Sequence, residues 1–151
     1  MKKRTIFIGA ALAAALSFTA LAAFAQTADI ATVLETAAKD DVVEVEAEVA
    51  GASDDNVVTI TDATGRVKLN FGPVWYSVYK FLAGEKLRVT AAVDKGQDGD
   101  KPAELDAITV TRPDGTVLEV RPLHGKPGWA GGPDVVGEKH PGYQASRSKN
   151  R

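Results

Sequence analysis

The feature that most constrains the fold is a pair of alternating segments separated by a short aromatic stretch, within residues 65–94. Apolar and polar residues alternate over residues 66–71 and again over residues 86–93, a period typical of strands with one buried face. Between them, four residues fall at helical spacing: Trp75, Val78, Tyr79 and Leu82. Pro73 suits a first helical turn and Gly84 a C-terminal stop. The stretch therefore predicts a strand, a short helix and a second strand.

Further segments with regular periods lie on either side of this stretch. Residues 42–51 and 57–62 alternate in the same way, and residues 105–111 predict a strand that turns into a short hairpin partner at residues 116–120. Residues 30–38 have the apolar spacing of a short amphipathic helix. The order is thus helix, three strands, helix, two strands and a hairpin strand.

Three strands, a helix and two strands are the order of an OB-fold, a five-stranded Greek-key barrel. We predict an all-β, five-stranded OB-fold-like barrel with a capping helix between strands 3 and 4, a short N-terminal helix and an additional C-terminal hairpin strand. Another small β-barrel, or a meander with a covering helix, is the alternative. In an OB-fold the first strand lies beside the fourth, which predicts that three glutamates face two cations: Glu44, Glu46 and Glu48 opposite Lys86 and Arg88.

The N-terminal residues have the composition of a secretory signal peptide. Residues 2–4 are basic, residues 5–24 are apolar and small, and an A-x-A site predicts cleavage after Ala25. An N-terminal membrane anchor is the alternative, but the cleavage site favours a periplasmic protein that is not anchored after cleavage. The predicted divisions are a signal peptide (1–25), an N-terminal helix (26–40), an OB-fold barrel (41–123) and a flexible basic tail (124–151). The chain has no cysteine, which excludes a disulfide framework and a lipid-modified N-terminus.

Charge indicates the kind of partner. Residues 26–120 carry a net charge of −9, whereas residues 121–151 carry +4. The loops that frame the ligand face of an OB-fold are acidic here, with −2 over residues 51–56 and −3 over residues 94–106. A nucleic-acid-binding domain normally carries a basic stripe on its folded body. We therefore predict no nucleic-acid binding, and a small cationic ligand or a basic protein surface as the partner; the oligomeric state stays open.

Several motifs resemble those of the bacterial OB-fold (BOF) family of small periplasmic proteins. These are a helix that ends in a double aspartate, a V-x-V-x-G-like first strand, the turn Asp62-Ala63-Thr64-Gly65, a strand that ends near a tryptophan, and the segment AGEKLRVTAAVDKG. The resemblance covers residues 30–110. It implies a non-catalytic periplasmic protein that is linked to stress tolerance and binds small or cationic ligands.

The residues offer little for catalysis. His124 and His140 lie in the predicted tail, away from any wall that would orient them, and no nucleophile and base, zinc spacing or phosphate loop is recognisable. We therefore expect no catalytic residues and no enzyme activity.

The candidate ligand-binding residues are two aromatic and five acidic ones: Tyr76, Trp75, Asp54, Asp55, Asp94, Asp98 and Asp100. Aromatic faces stack on organic cations. Trp75 and Tyr79 lie one helical turn apart and favour plugging the barrel, which leaves Tyr76 as the exposed ring. The acidic loop is interpreted as solvated, so no cofactor or metal is predicted. A divalent cation held by Asp94, Asp98 and Asp100 is the alternative.

Two functions are consistent with these features. The first is a non-catalytic periplasmic OB-fold protein that binds a small cationic ligand or a basic partner through the acidic loops and Tyr76. The second is an accessory or assembly subunit of a periplasmic complex that contacts its partner through the hairpin near Thr116 and the basic tail.

Overall fold

The computed structural model describes residues 27–52, 55–97, 99 and 101–133. The predicted signal peptide and the end of the predicted tail, residues 134–151, lie outside the described residues. The elements are α1 (Ile30–Thr36), β1 (Val42–Ala52), β2 (Val57–Thr61), β3 (Arg66–Asn70), β4 (Lys86–Asp94), β5 (Glu104–Thr111) and β6 (Val117–Glu119). Within the described residues, no helix has both the length and the apolar composition needed to cross a membrane.

The first five strands close into a barrel. The strands run in the order β3-β2-β1-β4-β5-β6, and β3 also pairs with β5, in parallel, while every other pairing is antiparallel. This is the strand order of an OB-fold, so the predicted all-β architecture is confirmed. The predicted hairpin strand is β6, which extends the sheet beyond β5.

One face of each strand fills the barrel, because side chains alternate between its two sides. The large core side chains with less than 2% exposure include Val45, Val49, Ile60, Leu69, Val89, Val93, Leu105 and Val110. Each such side chain contributes roughly 1.5–3 kcal/mol through its removal from water. The period of two read from the sequence therefore identifies the core correctly.

The predicted register between β1 and β4 is also confirmed. Glu46 lies opposite Arg88 and Glu48 opposite Lys86. The Arg88 guanidinium bonds Glu44 and lies 3.9 Å from Glu46. The Arg88 side chain is 50% exposed, so these pairs favour the correct register more than they hold the barrel together.

The segment between β3 and β4 is not a helix, so the predicted capping helix is wrong. It contains one turn, in which Tyr76 N and Ser77 N donate to Pro73 O at 3.0 and 3.4 Å, and the rest is irregular. Val78 and Leu82, two of the residues at helical spacing, are 54% and 76% exposed. Without a buried apolar stripe, so short a helix gains too little from packing to form.

The side chain of Asn56 bonds three backbone groups of this segment. Its side chain is buried, donates to Gly72 O at 3.2 Å and Ser77 O at 2.6 Å, and accepts from Tyr79 N at 3.2 Å. Asn56 has a φ of 62°, a left-handed conformation that asparagine tolerates better than most residues. A single side chain in the β1–β2 turn thus fixes the path of a segment far along the chain.

The N-terminal helix α1 covers the barrel core instead. Ile30 and Val33 are buried in the same core as the strand residues. Asp29 caps the helix by accepting from Thr32 N at 2.8 Å. Ile30 N donates to Asp62 in the β2–β3 turn at 2.8 Å, so the helix start is attached to the barrel.

Candidate ligand-binding groove

The outer face of β2, β3 and β5 carries two rows of side chains, all of them polar except Val57. One row crosses the sheet from Thr59 on β2 through Lys68 on β3 and Glu104 on β5 to Asp94 on β4. In the other row, Val57, Asn70 and Asp106 lie side by side. This is the face on which OB-folds bind their ligands, so these rows form the floor of the candidate site.

Two adjoining cavities lie over this floor. The first measures about 430 Å³ and is lined by Asp55, Val57, Asn70, Gly72, Pro73, Asp106, Arg121 and Trp129. The second measures about 530 Å³ and is lined by Gly51, Ala52, Asp55, Val57, Thr59, Lys68 and Glu104. They share Asp55 and Val57, and we call the two together the groove.

An ion pair forms one wall of the groove. Arg121, just after β6, places Nη1 3.1 Å from Asp106 Oδ2 and donates from Nη2 to Asn70 O at 3.3 Å. Its guanidinium carbon lies 5.0 Å from the centre of the Trp129 ring. The Arg121 side chain is 16% exposed, and its Nε is buried without a hydrogen-bond partner among the described residues. Arg121 therefore connects β3, β5 and the C-terminal segment.

Burial dominates the electrostatics of this pair. Burial raises the pKa of Asp106 above its usual value; the Arg121 charge opposes this shift, and the Asp94 and Glu104 charges add to it. Burial likewise lowers the pKa of Arg121, against the attraction of Asp106. Both shifts indicate that the pair loses more by leaving water than it gains by attraction. A further cation beside Asp106 would favour its ionised form.

Trp129 forms the aromatic wall. Its indole lies over Gly72, where an added Cβ would be 2.7 Å from Trp129 Cη2. The Trp129 ring meets the Tyr76 ring nearly edge-on, with centroids 5.6 Å apart, and Tyr76 meets Trp75 in the same way at 5.9 Å. The absence of a side chain at Gly72 is what admits the indole.

The structure brings some of the predicted site residues together. Asp55 lines both cavities, and Tyr76 reaches the groove through its contact with Trp129. Asp94 lies at the end of β4 beside Glu104, and its side chain accepts from Gly96 N at 2.8 Å. The three other predicted acids, Asp54, Asp98 and Asp100, lie outside the described residues.

The aromatic residues divide differently from the prediction. Tyr79 packs against the core and lies 5.2 Å from Phe71 between ring centroids, as predicted for a plug. Trp75 is half-buried and contacts Tyr76. Phe81 takes the second plugging position, 4.8 Å from Phe71.

Six functional side chains of the groove are absent from the predicted site: Lys68, Asn70, Glu104, Asp106, Arg121 and Trp129. In the sequence, Asp106 counts only toward the charge of residues 94–106, and Arg121 falls at the end of the predicted barrel. Their meeting depends on the parallel pairing of β3 with β5 and on the turn after β6, which have no local sequence signal.

Among the described residues, no group of three or more His, Cys, Asp or Glu side chains is arranged to hold a metal ion. Because Asp98 and Asp100 lie outside that part of the chain, the divalent-cation alternative stays a prediction.

A larger cavity of about 570 Å³ lies away from the groove, over β1, β4 and the β2–β3 turn. Its lining includes Glu46, Glu48, Lys86 and Arg88. Since acids and bases face each other across β1 and β4, this surface largely balances its own charge. We therefore consider the groove the better candidate site.

Comparison with known proteins gives only distant similarities. No family model and no curated protein matches the sequence. The hypothetical protein ygiW from E. coli is similar in structure, with a TM-score of 0.47 and 13% identity over 57% of this chain and 88% of that chain. The S. pombe Stn1–Ten1 complex gives a TM-score of 0.43 and 15% identity, covering 61% and 79%.

The telomere capping protein Ten1 from S. pombe has a TM-score of 0.42 and 14% identity, over 83% of this chain and 96% of that chain. All three scores fall below 0.5. The OB-fold assignment therefore rests on the strand order, and the resemblance to the bacterial OB-fold family stays a prediction.

Proposed function

We propose that this protein is a non-catalytic OB-fold binding protein that takes a small organic cation, or a cationic side chain of a basic partner, into the groove. The observation that supports this most is the pair of adjoining cavities on the ligand face of the barrel, with Asp106 half-buried on the floor beside Trp129. A periplasmic location, a role in stress tolerance and membership of the bacterial OB-fold family belong to the same proposal.

The charges around the groove favour a cation. Its described lining includes the carboxylates of Asp55, Glu104 and Asp106 and the cations Lys68 and Arg121. Arg121 is already engaged by Asp106, by Asn70 and by the Trp129 ring. Lys68 lies beside Glu104 in the strand register. The described lining therefore holds three carboxylates and two cations, and this excess of negative charge favours a cation over an anion.

The same charges disfavour a phosphate backbone. Single-stranded nucleic acids bind to OB-folds along a positively charged groove, and here Asp55 and Glu104 would lie next to the phosphates. We propose that the protein does not bind nucleic acid at physiological salt. Fluorescence anisotropy with a labelled single-stranded oligonucleotide at ~0.15 M salt tests this, and micromolar binding that persists after deletion of residues 134–151, which leaves Arg121 and Trp129 in place, would contradict it.

The groove composition also supports a non-catalytic role. Its described lining contains no serine, cysteine or histidine, the side chains that most often serve as nucleophile or base. Asp106 is paired with Arg121 rather than with a group that it could activate.

Titration calorimetry with spermidine, Ca²⁺ and a lysine-rich peptide tests cation binding. We expect saturable heat for at least one of these probes. Removing one carboxylate from the groove by Asp106→Asn or Glu104→Gln should weaken binding about tenfold, as for a lost charge-assisted hydrogen bond. The matched control is Glu35→Gln, which removes the same charge from the exposed face of α1 and should leave the affinity unchanged.

The pH dependence adds an independent check. Because burial raises the pKa of Asp106 above its usual value, lowering the pH should neutralise this carboxyl and weaken cation binding, and Asp106→Asn should reduce that dependence. Absence of saturable heat for every probe with a folded protein, or equal affinities for the groove variants and Glu35→Gln, would refute the proposal.

A further inference from the structure

We propose that the outer edge of β6 receives an extended, basic segment of a partner protein as an added strand. This surface lies apart from the groove, and the inference does not depend on the proposed cation binding. The alternative function expected from the sequence, an accessory subunit, would use a surface of this kind.

The backbone of β6 is half unpaired. Leu118 pairs with β5, and Val120 N donates to Ile108 O at 2.8 Å, so alternate residues point toward β5. Val117 and Glu119 consequently point their N–H and C=O groups away from the sheet, and these groups have no backbone partner among the described residues. Both residues are exposed, Val117 by 56%. A row of such groups is a template for another strand.

The sheet has no other comparable edge within the described residues, because β1 to β5 close on themselves and β6 stands at the end of the strand order. Natural edges are often protected by charged side chains, proline or a bulge, or because the edge strand is very short. The strand Val117–Glu119 contains no lysine or proline and pairs with β5 without a register shift, but it has three residues and carries Glu119. Among the described residues the outer edge is therefore open over a short length, and Glu119 favours a segment of opposite charge.

The exposed charges near β6 favour a basic partner. Asp114 and Glu119 are exposed on the hairpin. The nearby cation, Arg112, is already bonded to Glu85 at 2.6 Å and lies 5.1 Å from the centre of the Phe81 ring. A second copy of this chain would bring acidic hairpins together, which like-charge repulsion across a strand pair disfavours.

Peptide binding to the full chain tests the proposal. The probes are a short peptide of alternating lysine and valine and the same peptide with glutamate in place of lysine. We expect the basic peptide to bind, the acidic peptide to bind at least about tenfold more weakly, and amide hydrogen exchange to slow at Val117 and Glu119 on binding.

Two pairs of variants separate the contribution of the backbone hydrogen bonds to peptide binding from the contribution of charge. Val117→Pro removes an N–H that points outward and so spares the β5–β6 bonds, while Val117→Thr keeps that N–H. We expect Val117→Pro to raise the Kd about tenfold, equivalent to one or two hydrogen bonds, and Val117→Thr to bind as the unchanged chain does. Glu119→Lys should weaken binding, and the matched charge change Glu35→Lys on α1 should not.

Several outcomes would overturn the proposal. These are equal binding of the two peptides, unchanged binding by Val117→Pro and Glu119→Lys, and exchange protection on β2 and β3 instead of β6. A dimer that Val117→Pro abolishes would also overturn it, because the occupant would then be a second copy. If Val117→Pro fails to fold, Glu119→Lys and the exchange pattern still decide. Unchanged peptide binding by Asp106→Asn would distinguish this surface from the groove.

Discussion

Replacing Arg121 by methionine removes the cation from a largely buried pair and leaves Asp106 behind. The substitution deletes the contact with Asp106 Oδ2 at 3.1 Å, the bond to Asn70 O at 3.3 Å and the stacking on Trp129. Methionine is flexible and apolar, so it can keep part of the packing against the indole. The main loss is therefore the neutralisation of Asp106.

The expected cost is about 2 kcal/mol at neutral pH. Removing one partner of a fully buried pair costs roughly 3–5 kcal/mol, and we scale this down because the side chains of Arg121 and Asp106 are 16% and 30% exposed. For a domain of this size, about 2 kcal/mol corresponds to a fall in Tm on the order of 10 °C.

The cost should depend on pH in a defined direction. Burial already raises the pKa of Asp106, and Arg121 opposes that shift, so the variant should raise this pKa further. A carboxyl with a raised pKa contributes stability below its unfolded pKa, and that contribution is lost as the pH rises through the folded value. The loss in free energy of unfolding caused by Arg121→Met should therefore be small at about pH 4 and reach its full value at about pH 7.

Urea unfolding followed by circular dichroism at both pH values measures this, with Asp106→Asn and the double variant completing a cycle. We expect the double variant to recover most of the deficit of Arg121→Met, because no buried charge is left. A deficit that is equal at both pH values, or below about 0.5 kcal/mol at neutral pH, would show that Arg121 does not compensate Asp106 and would refute the reasoning.

Three further changes test the fold. Asn56→Ala should cost about 3 kcal/mol in urea unfolding, because buried backbone groups of the β3–β4 segment lose their partners. Gly72→Ala should cost about 1–2 kcal/mol and shift tryptophan fluorescence to the red, since the new Cβ would lie 2.7 Å from Trp129 at a φ of +83°. Asp62→Ala should cost about 1–2 kcal/mol by releasing Ile30 N. Burial raises the pKa of Asp62, but its hydrogen bonds lower the pKa by more, so that it lies below its usual value. The ionised Asp62 therefore contributes stability that is lost as the pH falls through the lowered pKa. This loss should be absent in Asp62→Ala, as measured by the free energy of unfolding along an acid titration.

The barrel could be predicted from sequence because its strands carry their own pattern. Alternation predicts the buried face of β1. The strand order of an OB-fold places β1 beside β4, and the charges of Glu46 and Glu48 opposite Arg88 and Lys86 agree with that pairing. The alternation and the charges are local properties of these segments. Because side chains alternate with a period of two, a shift of the register by one residue would turn the buried side chains of the strand toward solvent.

The segment between β3 and β4 could not be predicted in the same way. Helical spacing at Trp75 and Tyr79 suggested a helix, but the segment is held by the side chain of Asn56, a residue that the sequence marks only as part of a turn. The bonds span 21 and 23 residues. Tertiary hydrogen bonds thus override local propensity, and no window of neighbouring residues contains that information.

The candidate site was predicted in part for a related reason. The face of the barrel and Asp55 followed from the fold and from loop composition. Arg121 and Trp129 instead reach the groove because the chain turns back after β6 and because Gly72 leaves room for an indole. Both conditions are steric and non-local, so composition could suggest that Trp129 docks but not where.

The parallel pairing of β3 with β5 also has a consequence for how the chain folds. Lys68 on β3 pairs with Glu104 on β5, and Val42 on β1 pairs with Ala92 on β4. Each pairing closes a long loop, and the entropy cost of that closure precedes the stabilisation from packing. Topologies dominated by such distant pairings fold in roughly milliseconds to seconds, more slowly than helical proteins of equal stability. A chain that ends before β5 has no partner for the open side of β3 or of β4, and its alternating strands would remain exposed. The barrel therefore closes only when β5 is present.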